Sequence, residues 1–182
     1  MDRRDTPENA RPMRFLEPDE LAQLAEAHPA FYRPLVFTAG YVGMRWGELA
    51  GLALDHVDLL RTIRVERQLV EVGGAVHFGP PKTRAGIRTV TMPPTLDEIL
   101  AEHFASPAVQ SSRLAFPGPE GAPLRRSNFR RVWGKACSAA GLDGLVFHEL
   151  RHTAAALAIA QGAHPIAIKE RLGHSSITVT MD

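Results

Sequence analysis

The sequence predicts an α+β domain that is mainly helical, with a small three-stranded antiparallel sheet inserted near its N-terminal third. Apolar residues recur at helical spacing through most of the chain, as in PDELAQLAEAH at 18–28 and HELRHTAAALAIAQG at 148–162. Short β-branched runs are confined to residues 62–92, where turns rich in glycine and proline separate them. A chain of 182 residues is long enough to bury a substantial core.

The first elements follow from local signals. Pro18 suits the first turn of a helix, and the apolar stretch at 30–43 predicts a buried second helix. A short helix, RWGELAGL, is expected after a break at Gly43. The three strands are then expected at 62–72, 75–78 and 87–92.

Helical patterns return after the predicted sheet. Ser127 is expected to cap the helix that contains NFRRVWGKACSAAG, and Gly141 to end it. A last helix, PIAIKERLG, begins with Pro165 and ends at Gly173. The other helices are expected at 95–104 and 148–162.

Composition narrows the class of protein. The chain is 45% hydrophobic and 23% charged, which is typical of a globular domain. It has no apolar run near the ~20 residues of a membrane helix, and its polar start does not resemble a signal peptide. One cysteine excludes an intramolecular disulfide framework and favours a cytoplasmic location. Residues 1–14 are expected to be a linker or the remainder of an upstream boundary, and residues 15–182 the domain.

Arginine and lysine cluster at 82–88 and 125–131, although the net charge is only +1. Such clusters predict contacts with nucleic acid, while a solvated protein face is the alternative. The candidate nucleic-acid-binding residues are Arg84, Arg88, Arg125, Arg126, Arg130 and Arg131.

The stretch FHELRHT, residues 147–153, admits two interpretations. In the first, His148 and His152 bind zinc and Glu149 is the general base of a metallopeptidase. That site needs a third ligand, and the sequence offers none in a supporting motif. In the second, the same helix face presents Arg151 and His148 to a phosphate, since residues three and four apart are neighbours. Arg151 then supplies a planar fork of donors, and His148 can move a proton.

Two further segments favour the phosphate interpretation. Arg45 stands at a glycine-flanked turn that opens a helix, where anions bind well. Glu48 is expected either to orient that arginine or to face solvent. His174 follows Gly173 at a corner between helices, where it can serve a site or satisfy the backbone of the corner.

These segments together resemble the C-terminal catalytic domain of the tyrosine recombinases, the phage integrase family. The matching stretches are GMRWGEL around Arg45, PPKTRAGIRTV around Lys82, FHELRHTAAALAIAQG around Arg151, and IKERLGHSSITVTMD around His174. They occur in the family's order and cover roughly residues 14–182. Several matching stretches are far more specific than one motif.

The resemblance implies an enzyme that cuts one DNA strand with a tyrosine, forms a 3′-phosphotyrosine bond, and religates without ATP, metal or other cofactor. Arg45 and Arg151 would neutralise the phosphate oxygens, and Lys82 would protonate the leaving 5′-oxygen. His148 would assist proton transfer, while His174 would donate a hydrogen bond to the phosphate. His152 would support the site.

The resemblance also implies double-stranded DNA as partner, a homotetramer on DNA for the full-length protein, and a monomer for this domain alone. The family's tyrosine is expected just beyond Asp182, so the isolated chain is expected to be inactive. Tyr32 and Tyr41 are expected to be packing residues. A DNA-binding relic without activity, or the related chemistry of a type IB topoisomerase, are the alternatives.

Overall fold

The computed structural model describes residues 14–58 and 61–173. Within these ranges the chain forms a helical domain that carries two small antiparallel sheets. The helices are α1 (Pro18–Glu26), α2 (Arg33–Val42), α3 (Trp46–Ala50), α4 (Asp97–Phe104), α5 (Pro107–Ser112), α6 (Arg126–Ala139), α7 (Glu149–Ala160) and α8 (Pro165–Leu172). The strands are β1 (Val57–Asp58), β2 (Thr62–Val65), β3 (Gln68–Val72), β4 (Ala75–Gly79) and β5 (Arg88–Thr91).

The predicted fold class is confirmed, but the strands pair differently from the prediction. The apolar run at 62–72 is divided between β2 and β3. The three-stranded sheet has the order β1-β2-β5, with Ile63 opposite both Val57 and Val90. β3 instead forms a separate hairpin with β4, in which Val72 lies opposite Ala75.

The hairpin explains the difference. The two residues between β3 and β4, Gly73 and Gly74, both have positive φ, as a tight two-residue turn requires. This turn pairs β4 with β3 and not with β2 or β5. Pro80 and Pro81 follow directly and lack the N–H groups that a strand would need to continue pairing.

The core is organised around α2, which packs against α1, α4 and α7. Leu35, Val36 and Ala39 of α2 are almost fully buried there. α8 packs on α7 and on β5, and α3 packs on β3. The short helix α3 is therefore held between the helical core and the hairpin, next to the ends of α2 and α8.

The helix boundaries correct one detail. α6 begins at Arg126 with Arg125 as its N-cap residue, so Ser127 lies inside the first turn and the predicted cap is wrong. The helix α5 was absent from the prediction, because its residues PAVQSS carry a single buried apolar side chain, Val109. Across residues 14–58 and 61–173, no helix is long and apolar enough to cross a membrane.

Candidate active site

A cleft of about 850 Å³ lies where α3, β3, the start of α6 and the turn before α7 meet. Three of the predicted catalytic residues line it, namely Arg45, Lys82 and His148. They come from segments far apart in the chain, so only the fold brings them together. Arg126 and Arg130 of α6 line the same cleft. The cleft is therefore rich in groups that attract anions.

Arg45 is the N-cap residue of α3. Its backbone N–H donates to Oε2 of Glu48 at 2.9 Å, and its Nη1 donates to Oε1 of the same carboxylate at 3.0 Å. Its Nη2 donates to the carbonyl of Gly173 at 3.3 Å. Since α3 has only five residues, the positive potential here comes from the guanidinium and not from a long helix dipole.

Glu48 is buried and orients Arg45, so the alternative that it faces solvent is excluded. Burial alone would raise the pKa of its carboxyl group. The hydrogen bond and charge of Arg88, followed by the backbone hydrogen bond and the charge of Arg45, outweigh burial and hold the pKa of Glu48 below its ordinary value. Glu48 is thus a permanent anion between two arginines at neutral pH.

Arg88 was predicted to contact nucleic acid, but its side chain is buried against Glu48. Its side chain is only 7% exposed, and it holds both oxygens of Glu48, with Nη1 at 3.1 Å and Nη2 at 3.0 Å. Its Nε donates to the carbonyl of Arg171 at 2.6 Å, and Nη1 also donates to the carbonyl of Gly86 at 2.9 Å. A guanidinium bound in this way cannot also lie along a DNA backbone, which argues against the expected role of Arg88 in binding DNA.

Arg151 is buried behind the cleft, with 4% of its surface exposed. Its Nη1 donates to the carbonyl of Gly43 at 2.6 Å, and its Nη2 donates to the carbonyl of Leu172. Burial lowers its pKa to about 9, helped by the charges of Arg45 and Arg88 and opposed by Glu48. The group stays cationic at neutral pH.

Arg45 and Arg151 therefore converge on one point of the fold. They donate to the consecutive carbonyls of Gly173 and Leu172, where α8 ends. The predicted His174 follows directly in the chain but lies outside the described residues. The two arginines thus approach the same corner from α3 and from α7.

His148 and His152 are neighbours on one side of α7, as their spacing predicted. Their ring centroids are 5.7 Å apart and the rings are nearly perpendicular. Partial burial, and then the positive charges of Arg151, His152, Arg45 and Arg126, lower the pKa of His148. His148 is therefore a neutral imidazole at pH 7 and can accept a proton at the cleft.

The Glu149 carboxylate accepts hydrogen bonds from two backbone N–H groups, whereas the zinc interpretation makes it a general base. Its Oε2 accepts a hydrogen bond from the N–H of Val146 at 2.7 Å, and its Oε1 accepts one from the N–H of Arg14 at 3.4 Å. The carboxylate thus fastens the start of α7. Among the described parts of the chain, no three His, Cys, Asp or Glu side chains lie together in a way that could hold a metal ion.

The arginines of α6 are exposed, in contrast to the buried side chains of Arg88 and Arg151. The start of this helix is tied to the β3–β4 hairpin: Arg125 Nη1 donates to the carbonyl of Gly74 at 2.7 Å, and the N–H of Arg126 donates to Glu71 at 2.8 Å. Arg131 Nη2 donates a hydrogen bond to Oδ1 of Asn128, on the same helix, at 3.0 Å. This surface and the hairpin therefore form one wall beside the cleft.

Lys82 and Arg84 lie in the exposed loop between β4 and β5. Lys82 reaches the cleft, whereas Arg84 is not among the residues that line it. The structural role of Arg88 was missed, although a signal was present: in β5 it alternates with Thr89 and shares a face with buried Val90. That pattern points an arginine towards the interior.

Comparisons with known proteins identify the family of the chain. The model of the phage integrase family matches residues 14–182. The chain belongs to the phage integrase family. The prophage phiRv2 integrase of Mycobacterium tuberculosis is 35% identical over 162 residues, which are 87% of this chain and 43% of that protein. The ICEBs1 integrase of Bacillus subtilis is 28% identical, over 97% of this chain and 51% of its own length. The chain thus spans about half the length of these family members.

Solved structures of tyrosine recombinases share the fold. The Tn1549 transposon integrase in complex with transposon right end DNA has a TM-score of 0.82 at 19% identity, covering 97% of this chain and 62% of that one. The XerA recombinase has a TM-score of 0.74 at 24% identity, covering 97% and 61%. The solved structures therefore agree with the predicted fold class, a mainly helical domain with a small antiparallel sheet.

Proposed function

We propose that residues 15–182 form the catalytic domain of a site-specific DNA recombinase, with residues 1–14 as the linker before it. The observation that carries this proposal is the meeting of Arg45, Lys82 and His148 in one cleft, with Arg151 directly behind it. The site offers cations, a proton acceptor and a proton donor around one volume. These are the groups that phosphoryl transfer needs in the absence of a metal ion.

The proposed reaction begins when a tyrosine hydroxyl attacks a phosphorus atom of the DNA backbone. A tyrosine–phosphate bond forms at the 3′ end, and the bond from phosphorus to the 5′-oxygen breaks. His148 takes the phenolic proton, and Lys82 gives a proton to the leaving 5′-oxygen. The reverse reaction with another strand's 5′-hydroxyl religates the DNA, so the bond energy is conserved.

The two arginines supply the electrostatic part of the mechanism. Charge builds up on the non-bridging oxygens in the transition state. Arg45 would stabilise it from the cleft, and Arg151 would add its positive charge from the buried position behind the cleft. A single arginine contributes about 10³–10⁵-fold in other phosphoryl-transfer enzymes. Their hydrogen bonds to Glu48, Gly43 and the end of α8 hold both groups in advance, so little energy is lost in orienting them. His152 would support His148, and His174 would donate to the same phosphate.

The nucleophile is proposed to be neither of the tyrosines in this chain. Tyr32 packs edge-on against Phe129, at 5.5 Å between ring centroids, and its burial raises its pKa. Tyr41 stacks on Phe37 at 6.2 Å. Neither lines the cleft. We propose that a tyrosine beyond Asp182 in the full-length protein attacks the phosphate, and that the isolated 182-residue chain forms no covalent adduct.

Double-stranded DNA is the proposed partner, with Arg84, Arg125, Arg126, Arg130 and Arg131 contacting its phosphates. The Tn1549 integrase was solved with transposon DNA, and its fold is the same. By the same resemblance, four copies of the full-length protein would assemble on two duplexes in the cytoplasm, and this domain alone would be a monomer.

The test is incubation of the full-length protein with nicked DNA that traps the covalent intermediate, in excess chelator, followed by a denaturing gel. We expect a protein–DNA band that disappears when the downstream tyrosine is changed to phenylalanine. No band in chelator, together with an activity restored by added zinc, would instead support the metalloenzyme interpretation. DNA binding without any band, across substrates covering the target region, would support a DNA-binding relic. The isolated 182-residue chain is the matched control and should give no band.

A further inference from the structure

Arg88 joins three segments of the proposed active site. It binds both oxygens of Glu48 on α3, the carbonyl of Arg171 near the end of α8, and the carbonyl of Gly86 in the loop that carries Lys82. It does not line the cleft itself. An arginine is the side chain suited to this position, because its fork matches a carboxylate while Nε remains for a third partner.

The same three segments touch one another at Gly173. A Cβ atom at this position would lie 2.8 Å from the carbonyl oxygen of Ala85 and 3.2 Å from Nη1 of Arg88. Gly173 also has a positive φ of 65° and accepts a hydrogen bond from Arg45. The end of α8, the Lys82 loop and the arginine of α3 are therefore packed at backbone distance, with the Arg88 guanidinium at their centre.

We propose that Arg88 is a positioning residue for the phosphate site, which fixes Glu48 and, through Glu48, the guanidinium of Arg45. This inference rests on the proposed function and extends it to a residue outside the cleft. Without Arg88, the Glu48 carboxylate keeps Arg45 as its one arginine partner among those two. The carboxylate is then no longer fixed, and the Arg45 guanidinium can move with it, away from the cleft. A shift of about 1 Å at a reacting centre can cost about 10²-fold in rate.

The experiment measures single-turnover formation of the covalent adduct by the full-length protein, at saturating DNA. For R88M we expect a rate about 10²-fold lower, with DNA affinity changed less than about threefold, because the guanidinium faces protein and not the cleft. R88K keeps the charge but cannot hold both oxygens and the carbonyl of Arg171, so it should recover only part of the rate. The matched control is R64M, which removes an exposed arginine on the neighbouring strand β2 and should match the parent.

A second substrate separates positioning from general damage to the fold. A methylphosphonate at the cleaved position has no negative charge on its non-bridging atoms, so an arginine that stabilises this charge matters less. The ratio of parent to variant rates should therefore shrink for R45M, and in parallel for R88M. A variant that merely folds less well would be equally impaired on both substrates. If R88M does not fold, the same ratio measured for R88K decides the question.

The outcomes are distinct. An R88M defect that is equal on phosphate and methylphosphonate DNA, or a rate like that of R64M, would overturn the positioning role and leave the proposed function intact. An R45M defect that does not depend on the substrate would instead contradict the phosphate role of Arg45, and the inference about Arg88 with it. A full-length parent that forms no adduct would overturn the proposed function itself.

Discussion

Two groups of arginines in this domain use the same side chain in opposite ways. Arg88 and Arg151 are buried, and their nitrogen atoms donate to carbonyls and to Glu48. Arg126, Arg130 and Arg131 stand exposed along α6. The guanidinium groups of the first set are held inside the protein, whereas those of the second set lie at the surface, where DNA can meet them. We therefore expect the buried group to control rate and the exposed group to control affinity.

The largest effect should follow from changing Arg151. R151K keeps a cation but loses the planar fork, and it cannot reach the carbonyls of Gly43 and Leu172 with the same geometry. We expect adduct formation to fall by about 10³-fold or more, the range for an arginine in phosphoryl transfer. Single-turnover kinetics at saturating DNA measure the rate, and fluorescence anisotropy measures the affinity. A loss of affinity equal to the loss of rate would abolish the distinction between the two groups.

The next largest effect is expected for His148, whose pKa is lowered by Arg151 of the buried group and by Arg126 of the exposed group. The proposed base must be neutral, so the adduct-forming rate should fall as the pH drops through the His148 pKa. Because this pKa is lowered, the fall should lie below pH 6.5. H148A should lower the rate by about 10²–10⁴-fold, the usual contribution of such a group.

A finer change tests the cause of the shift in the His148 pKa. R126M removes a positive charge that lowers it, so the acid limb of the pH–rate profile should move to higher pH. R131M removes an exposed arginine of the same helix that is not among the causes of the shift and should leave the limb in place. Equal shifts in both variants would contradict the local electrostatic explanation.

Glu48 contributes to the stability of the fold through its buried ion pair with Arg88. E48Q leaves the buried Arg88 without a carboxylate, and breaking a buried ion pair costs about 3–5 kcal/mol. Because the folded-state pKa of Glu48 is depressed, its stabilisation is present above the unfolded value of 4.5 and is lost as the pH falls through the folded value. Denaturant unfolding should show a smaller loss of stability in this acid range for E48Q than for the parent. Parallel curves would contradict the linkage.

The sequence predicted the parts of the site that depend on local spacing. The helix face of His148 and His152, and the turn before α3 with Arg45, could be inferred from residues a few positions apart. The division of residues 62–72 between two sheets could not, because it depends on which distant strand each half meets. The pairing of Arg88 with Glu48 was missed for the same reason, since the partners are 40 residues apart, although the alternation in β5 indicated that Arg88 faces inward.

The smallest effect should come from the exposed arginines of α6. In the double variant R126A/R130A, we expect DNA affinity to fall by about tenfold in moderate salt, because neutralised phosphates supply most of the binding free energy. The slope of log K against log salt should decrease by about one for each phosphate that the variant no longer neutralises. R113A, which removes an exposed arginine that does not line the cleft, is the control and should leave the slope unchanged. If the double variant instead lost rate at saturating DNA as severely as R151K, exposure would not separate binding from catalysis, and α6 would have to be placed within the catalytic site.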